Sequence, residues 1–244
     1  MENQYKNYSC MLYDFTKPPG TSVDGDLEFY KNLLMPVEGK VLEAGVGNGR
    51  LLIPFLKYKI DIEGVDKSNE MLDLCLKNLK ANNLKTTLIK ADLKAFKKEN
   101  YYEYIIMPNA SICLIESRQE LLKVLTNFYV SLISNGRLAI DLIMPNEYKK
   151  GINHFYTHNL KEFDLQVNNY SKEINWEEQF TITKIDYLIN DQLVEQQEVK
   201  LMWYGIFEFE MILKSIGFKN IDIIKNYNNK TLINLKTITF IAKK

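Results

Sequence analysis

Val41-Leu42-Glu43-Ala44-Gly45-Val46-Gly47-Asn48-Gly49-Arg50 is the stretch that decides the fold. Apolar residues run into an acid, and glycines then recur at every second position. The apolar segment Leu51-Leu52-Ile53-Pro54-Phe55-Leu56 follows. This order predicts a strand, a tight turn that a ligand can approach closely, and a helix: the ligand-side crossing of a doubly wound sheet. Glycine tolerates positive φ and carries no Cβ, which such a turn requires. The spacing is G-x-G-x-G, not the G-x-G-x-x-G of dinucleotide-binding turns, and the acid stands before the first glycine.

Outward from this turn the chain alternates between strands and helices. Asp26 to Met35 reads as a helix stopped by Pro36, Lys40 to Ala44 as the first strand and Arg50 to Lys57 as the helix after it. Ile60 to Val65 is a second strand, and Ser68 to Asn82 a helix with Met71, Leu72, Cys75, Leu76 and Leu79 at helical spacing. Thr86 to Lys90 and Tyr104 to Met107 are the third and fourth strands. A helix starts at Ser117, with Glu120 completing a capping box, and ends at Asn135-Gly136. Leu138 to Ile143 is a fifth strand, apolar on both faces as a central parallel strand should be.

After Pro145 the period changes. Polar and apolar residues alternate between Phe155 and Trp203, with Asn190-Asp191 as a hairpin turn, which predicts an antiparallel insert of roughly four strands. Phe207 to Ile216 returns to helix with Gly217 as its cap, and Ile221 to Lys225 and Leu232 to Ala242 form closing strands around Asn228-Asn229. The expected fold class is α/β: a doubly wound, seven-stranded, mostly parallel sheet with an antiparallel β insert after strand five. Residues 1–145 and 204–244 would form the core and residues 146–203 a cap. Residues 1–25, which include Lys17-Pro18-Pro19-Gly20, read as irregular and as a candidate lid.

The chain has 244 residues, enough for one large α/β domain or a core with an insert. Its 31 Lys and Arg balance 31 Asp and Glu, so no net positive charge is available to neutralise phosphates, and nucleic acid is not expected as a partner. No apolar run approaches about 18 residues, so no membrane span is expected. Cys10, Cys75 and Cys113 show no metal-ligand spacing. With a polar start at Met1-Glu2-Asn3-Gln4-Tyr5 in place of a secretory leader, they predict reduced thiols and a cytoplasmic protein. No metal is expected, because Asp141 on strand five has no acid pair beside it after strand four.

Each strand end carries a group suited to one ligand. Strand one ends at Glu43, followed by Gly45, Gly47 and Gly49. Strand two ends at Asp66, 21 residues beyond Gly45, where a carboxylate can accept hydrogen bonds from both ribose hydroxyls. After strand three, Asp92 of Ala91-Asp92-Leu93 can accept from an adenine amino group while Leu93 packs the base. After strand four comes the polar loop Met107-Pro108-Asn109-Ala110-Ser111. Any one of these residues alone could be an ordinary turn or cap. Together they outline a nucleoside pocket for a ligand with a cation and no phosphate, which describes S-adenosylmethionine.

In these residues the chain resembles the class I S-adenosylmethionine-dependent methyltransferases that act on small molecules, over nearly its whole length. Val41 to Pro54 resembles the family's first motif, with Val46 and Asn48 in place of the usual Cys and Thr, and Arg50 closing it. Glu63-Gly64-Val65-Asp66-Lys67-Ser68-Asn69-Glu70-Met71-Leu72 resembles the second, in which the acid binds ribose and the Met-Leu pair flanks adenine. Ala91-Asp92-Leu93 resembles the adenine motif, and Tyr104 to Ser111 the fourth strand with its catalytic loop. The pair Tyr13-Asp14 and the run Asp26 to Tyr30 also look familial, which implies Tyr13 as a lid tyrosine over the donor and Tyr30 near the acceptor. The insert is similar to the caps of enzymes that modify amino sugars and amino acids. The resemblance implies S-adenosylmethionine as cofactor, S-adenosylhomocysteine as product, and transfer to a nitrogen or oxygen of a small molecule.

An amine acceptor needs only to be neutral, whereas a hydroxyl usually needs a base, for which His154 and His158 are the only histidines. Tyr13 is the better candidate for lining the methyl path, and His154 the candidate base. Ser111, Trp203 and Tyr204 are candidate acceptor contacts, the last two as an aromatic wall or simply as core. Three other readings stay open: a nicotinamide-dependent oxidoreductase, an RNA methyltransferase, and a non-catalytic partner protein that binds the donor. The first fits poorly, because Glu43 would lie near a pyrophosphate. The second lacks the acid-or-Asn-Pro-Pro-aromatic run after strand four. The exposed faces of the insert leave room for a homodimer.

Overall fold

The computed structural model describes residues 5–228 and 235–244. Its main sheet has seven strands: β1 (Val41–Ala44), β2 (Ile62–Asp66), β3 (Leu88–Lys90), β4 (Tyr102–Met107), β5 (Leu132–Ile143), and, late in the chain, β10 (Lys219–Lys225) and β11 (Thr237–Lys243). Their order in space is β10-β11-β5-β4-β1-β2-β3. The five strands from β5 to β3 are parallel, and β11 runs antiparallel to both β5 and β10. The switch point falls between β1 and β4, where Glu43 sits opposite Gly64 on one side and Ile106 on the other.

Alternate residues of these strands enter two separate layers, as the period-two direction of side chains dictates. Leu42, Ile105, Leu138 and Phe240 pack with α5 (Arg118–Ser131) and α6 (Ile206–Ile216). Val41, Ile106, Ala139 and Ile241 pack with α2 (Asp26–Leu34), α3 (Leu52–Lys57) and α4 (Asn69–Ala81). Ser68 caps α4 by accepting from Met71 N, and Ser117 caps α5 by accepting from Glu120 N.

The second sheet is a meander of β6 (Asn153–Asn159), β7 (Asp164–Asn175), β8 (Phe180–Ile189) and β9 (Gln192–Met202), in that order in space. Asn190 and Asp191 join β8 to β9 with φ of 49° and 60°, the two left-handed residues a tight hairpin demands.

Three expectations need correction. Residues 1–25 are not irregular throughout, since Asn7–Thr16 is a helix, α1. Tyr8 and Leu12 pack on Leu165, Val167 and Tyr187 of the second sheet, while Asp14 and Tyr13 face the glycine turn. A helix gripped on two sides has no single apolar stripe to betray it. Asn135-Gly136 does not end α5, which stops at Ser131; it belongs to a detour early in β5, where pairing jumps from Tyr102↔Leu132 to Tyr104↔Arg137. The final strand begins at Thr237 rather than Leu232. Leu232 itself, and Asn229 of the expected turn, lie outside the described residues.

Candidate active site

The crevice lies at the carboxyl ends of β1, β2 and β4 and is roofed by α1. The glycine turn leaves β1 with φ of 73°, 54° and 82° at Gly45, Gly47 and Gly49. A Cβ on Gly47 would meet nothing within 4 Å, so the apex of the turn faces open space. A Cβ on Gly49 would lie 2.8 Å from Cys75 Sγ, because the turn is pressed against α4. Gly47 N donates to Asp66 Oδ2 at 2.9 Å, and Ser68 N to Asp66 Oδ1 at 2.9 Å. Burial raises the Asp66 carboxyl above its ordinary range, and these N–H groups oppose the shift.

Glu43 is buried, and its Oε2 finds no hydrogen-bond partner. Burial is the main force pushing its pKa up to about 8; Arg50 pulls it down, while Asp26 and Asp66 push it further up. Arg50, expected among the cofactor contacts, holds Asp26 with both terminal nitrogens at 3.0 and 2.5 Å and reaches the Thr21 carbonyl at 2.8 Å. Its charge also acts on Tyr13 of α1, opposing the rise that burial imposes on that hydroxyl. Its charge is therefore already matched inside the protein, and its evident work is to tie the glycine turn to α2 and α1.

α1 is fixed at both ends. At its start, the Glu195 carboxylate from β9 accepts from Tyr8 N at 2.8 Å and Ser9 N at 3.3 Å, capping the helix from another part of the chain. Toward its end, Asp14 Oδ1 accepts from Asn48 of the glycine turn at 2.8 Å and from Asn78 of α4 at 2.9 Å. Between these anchors the Tyr5 and Tyr13 rings meet edge to face at 5.8 Å.

The turn after β4 forms the opposite wall. Asn109 and Ala110 both adopt left-handed φ, 54° and 52°, without being glycine. Asn109 N donates to Asp141 Oδ2 at 2.8 Å. Asp141 is fully buried and also accepts from Tyr30 Oη, Tyr227 Oη and Thr239 Oγ1 at 2.7–2.8 Å. Burial pushes its carboxyl up to about 6, and the four donors oppose that shift. Ser111 Oγ donates to the Pro108 carbonyl at 3.1 Å, and Ser111 Cβ lies 3.3 Å from where a Cβ on Gly45 would sit.

The structure thus gathers Tyr13, Glu43, Gly45, Gly47, Gly49, Asp66, Pro108, Asn109 and Ser111 around one crevice. Met71 sits beneath its β2 side, fully buried, while the Lys67 side chain is exposed and only its backbone N–H reaches Asp66. Ala91 and Leu93 are half-buried after β3; Asp92 is exposed and folds onto its own turn, accepting from Lys94 N at 2.8 Å.

Other expected acceptor contacts are placed elsewhere. Tyr30 is wholly inside the α2 layer, bonded to Asp141. Tyr204 belongs to the main core beside Phe209, under Arg118, and Trp203 is buried against Trp176. An aromatic residue where a sheet rejoins the core fills space there, and these side chains are packed in that way. His154 is exposed on edge strand β6 with Tyr156 stacked at 6.3 Å, and among the described residues no side-chain contact ties it to the crevice. His158 meets Phe15 of the roof and Tyr156. Sequence reasoning missed the roles of Asp141, Asn48, Asn78 and Glu195, which arise only from partners distant in the chain, and the packing of Tyr5 on Tyr13.

A doubly wound sheet with this strand order, an acid ahead of three positive-φ glycines and a second acid at the end of β2 define the class I S-adenosylmethionine-dependent methyltransferase fold. Residues 41–136 match a family described as a methyltransferase domain. Carboxy-S-adenosyl-L-methionine synthase of Nautilia profundicola is 25% identical over 208 residues, which span 83% of this chain and 79% of that protein. Among solved structures, an S-adenosylmethionine-dependent methyltransferase from Clostridium acetobutylicum matches with a TM-score of 0.76 at 18% identity, covering 95% of this chain and 96% of that one. The sugar N-methyltransferase KedS8 from a Streptoalloteichus species matches with a TM-score of 0.78 at 15% identity, covering 100% and 95%. Residues 41–136 thus carry a methyltransferase domain, and the chain as a whole has the fold of the S-adenosylmethionine-dependent methyltransferases.

Proposed function

We propose that this protein moves a methyl group from S-adenosylmethionine to a nitrogen or oxygen of a small-molecule acceptor, lodged between the crevice and a cap formed by residues 146–203. The orphaned Oε2 of buried Glu43 carries this reading. A buried carboxylate oxygen without a donor is costly unless a cationic or hydrogen-bonding ligand completes it. The donor fits, since it brings an α-amino group, a sulfonium and two ribose hydroxyls. When bound, it supplies a methyl group already activated on a positively charged sulfur.

The chain's own residues then bind and align. Glu43 answers the positive charge, Asp66 the ribose, and the open face of Gly47 gives the nucleoside room. Asp92 and Leu93 take the adenine, with Met71 behind it. Tyr13 roofs the reacting carbon, and Pro108, Asn109 and Ser111 offer their polar groups to the acceptor. Alignment of this kind is worth up to about 7–11 kcal/mol in favourable cases. Burial raises the Tyr13 hydroxyl, so it stays protonated and is a poor base. With Tyr13 protonated, Glu43 given to the donor and Asp141 engaged by four hydrogen-bond donors, this reading favours an acceptor that needs no base, such as a neutral amine, and the likeness in fold to a sugar N-methyltransferase points the same way. Three free, buried cysteines support a cytoplasmic setting.

The relative named as a carboxy-S-adenosyl-L-methionine synthase supports a second reading, in which the chain acts on the donor itself. Mass spectrometry of the nucleosides formed during turnover with pooled amines, and in parallel with pooled carboxylic acids as carboxyl source, separates the two. S-adenosylhomocysteine together with a methylated amine supports transfer, and a carboxylated nucleoside supports the second reading. In calorimetry, Asp66→Ala should weaken S-adenosylmethionine at least about tenfold, and NAD should not bind. Unchanged affinity in that variant would sink the pocket assignment.

A further inference from the structure

The end of α1 holds a cation that nothing described so far employs. Lys17 follows the last helical residue, and its N–H closes the helix on the Tyr13 carbonyl at 2.8 Å. Its ammonium stands 5.2 Å from the centre of the Tyr13 ring, on the cluster that contains Arg50 and, through Arg50, Glu43. Its own carbonyl accepts from Asn48 of the glycine turn at 3.0 Å. The nearby acids are engaged elsewhere. Asp26 grips Arg50 with both oxygens, and Asp24 lies 3.6 Å from Lys236. Among the described residues, the Lys17 ammonium makes no ion pair. Burial and the Arg50 charge depress its pKa against the weaker pull of Asp26 and Asp24, as expected of a partly desolvated ammonium.

The donor assigned above carries one anionic group, the α-carboxylate of its amino-acid tail. We infer that Lys17 pairs with this carboxylate, and that the pairing seats α1 over the crevice. The inference rests on the donor reading. Lys17 and Tyr13 share the last turns of α1, and Asp14 between them already bonds the glycine turn. An ion pair formed by Lys17 therefore pulls on the same end of the roof that Asp14 latches. The amino group and the carboxylate of the tail are then read by opposite charges, Glu43 and Lys17, so that a nucleoside lacking either group is sorted out. An aromatic face beneath the ammonium holds it in place without neutralising it.

The test compares S-adenosylmethionine with decarboxylated S-adenosylmethionine, which differs only by the missing carboxylate. Calorimetry on wild type, Lys17→Met and Lys17→Arg gives the affinities, and backbone hydrogen exchange across Asn7–Thr16 reports the roof. In wild type the intact donor should bind at least about fivefold more tightly than the decarboxylated one. Lys17→Met should erase that preference while leaving affinity for the decarboxylated donor within about twofold, and Lys17→Arg should restore most of it. The intact donor should slow exchange in α1 of wild type, and the decarboxylated donor should not. Equal losses for both donors in Lys17→Met, or no loss for either, would overturn the role of Lys17. So would equal protection of α1 by both donors. Wild type that binds neither nucleoside would overturn the donor reading and this inference with it, a result distinct from intact binding with an inert Lys17.

Discussion

Two turns face each other across the crevice, and both need backbone that ordinary residues resist. After β1 the chain takes left-handed φ at Gly45, Gly47 and Gly49, where glycine adopts it without steric penalty. After β4 it does so at Asn109 and Ala110. For an L-residue such as alanine this costs roughly 1–2 kcal/mol. The second turn is held instead by a buried acid on the neighbouring strand, Asp141, with donors from α2, from the segment after β10 and from β11. The first turn is made by residue type and the second by a remote tether. A residue-type solution is visible in sequence, whereas a tether is visible only in space.

The strongest way to break this contrast is Asp141→Ala. It strands three hydroxyls and the Asn109 N–H inside the protein, and should cost about 3–5 kcal/mol in chemical denaturation. The donor side should suffer less than the acceptor side, so any folded protein at low temperature should still bind S-adenosylmethionine.

Gly49→Ala comes next. A Cβ at φ 82° that would lie 2.8 Å from Cys75 Sγ adds overpacking to backbone strain, for about 3 kcal/mol in a thermal melt. Gly49→Ala with Cys75→Ala should recover the packing part and leave the φ part.

A third experiment concerns pH. In the free protein the Glu43 pKa is raised from 4.5 to about 8. Its protonated form is thus favoured by folding, and that contribution is fully present below pH 4.5 and lost as pH rises through about 8. Glu43→Gln should therefore stabilise the free protein above pH 8 while weakening donor binding. Binding of a cation to ionised Glu43 should release close to one proton at pH 6 to 7, measurable by calorimetry in buffers of different ionisation heat. Affinity should climb by up to about tenfold per pH unit toward pH 8 and then level off, and Glu43→Gln should flatten that climb.

The smallest effect sharpens the comparison most. Ala110→Gly should be neutral or stabilising by about 0.5 kcal/mol, because relief of left-handed strain outweighs the added freedom of the unfolded chain. A loss of more than about 1 kcal/mol would mean that the alanine methyl, and not the tether, holds the turn.

This contrast also explains what could be read in advance. The parallel core was legible, because strands buried on both faces and helices with one apolar side imprint their periods on the chain. The meeting of Glu43, the glycines and Asp66 at neighbouring strand ends was legible because residue type and position along the chain fix it. Asp14, Asn48 and Asn78 were not, since each matters through a bond spanning 34 or 64 residues. Tyr30 was misplaced toward the acceptor because its hydroxyl looks functional in a string of letters; in the fold its partner is Asp141. His154 was singled out as one of only two imidazoles, and rarity carries no information about location.

The bonds from Glu195 to Tyr8 and Ser9, at one end of α1, and from Asp14 to Asn48 and Asn78, at the other, have a mechanical consequence. They make α1 a crossbar bolted to β9 of the meander at one end and to the glycine turn and α4 at the other. With the acceptor lodged against the meander as proposed, it would strain the bolt on the glycine turn, and a nucleoside at that turn would stiffen the platform on which the acceptor lands. The two ends of α1 would then not breathe independently, and an enzyme built this way should take up its reactants in a fixed sequence.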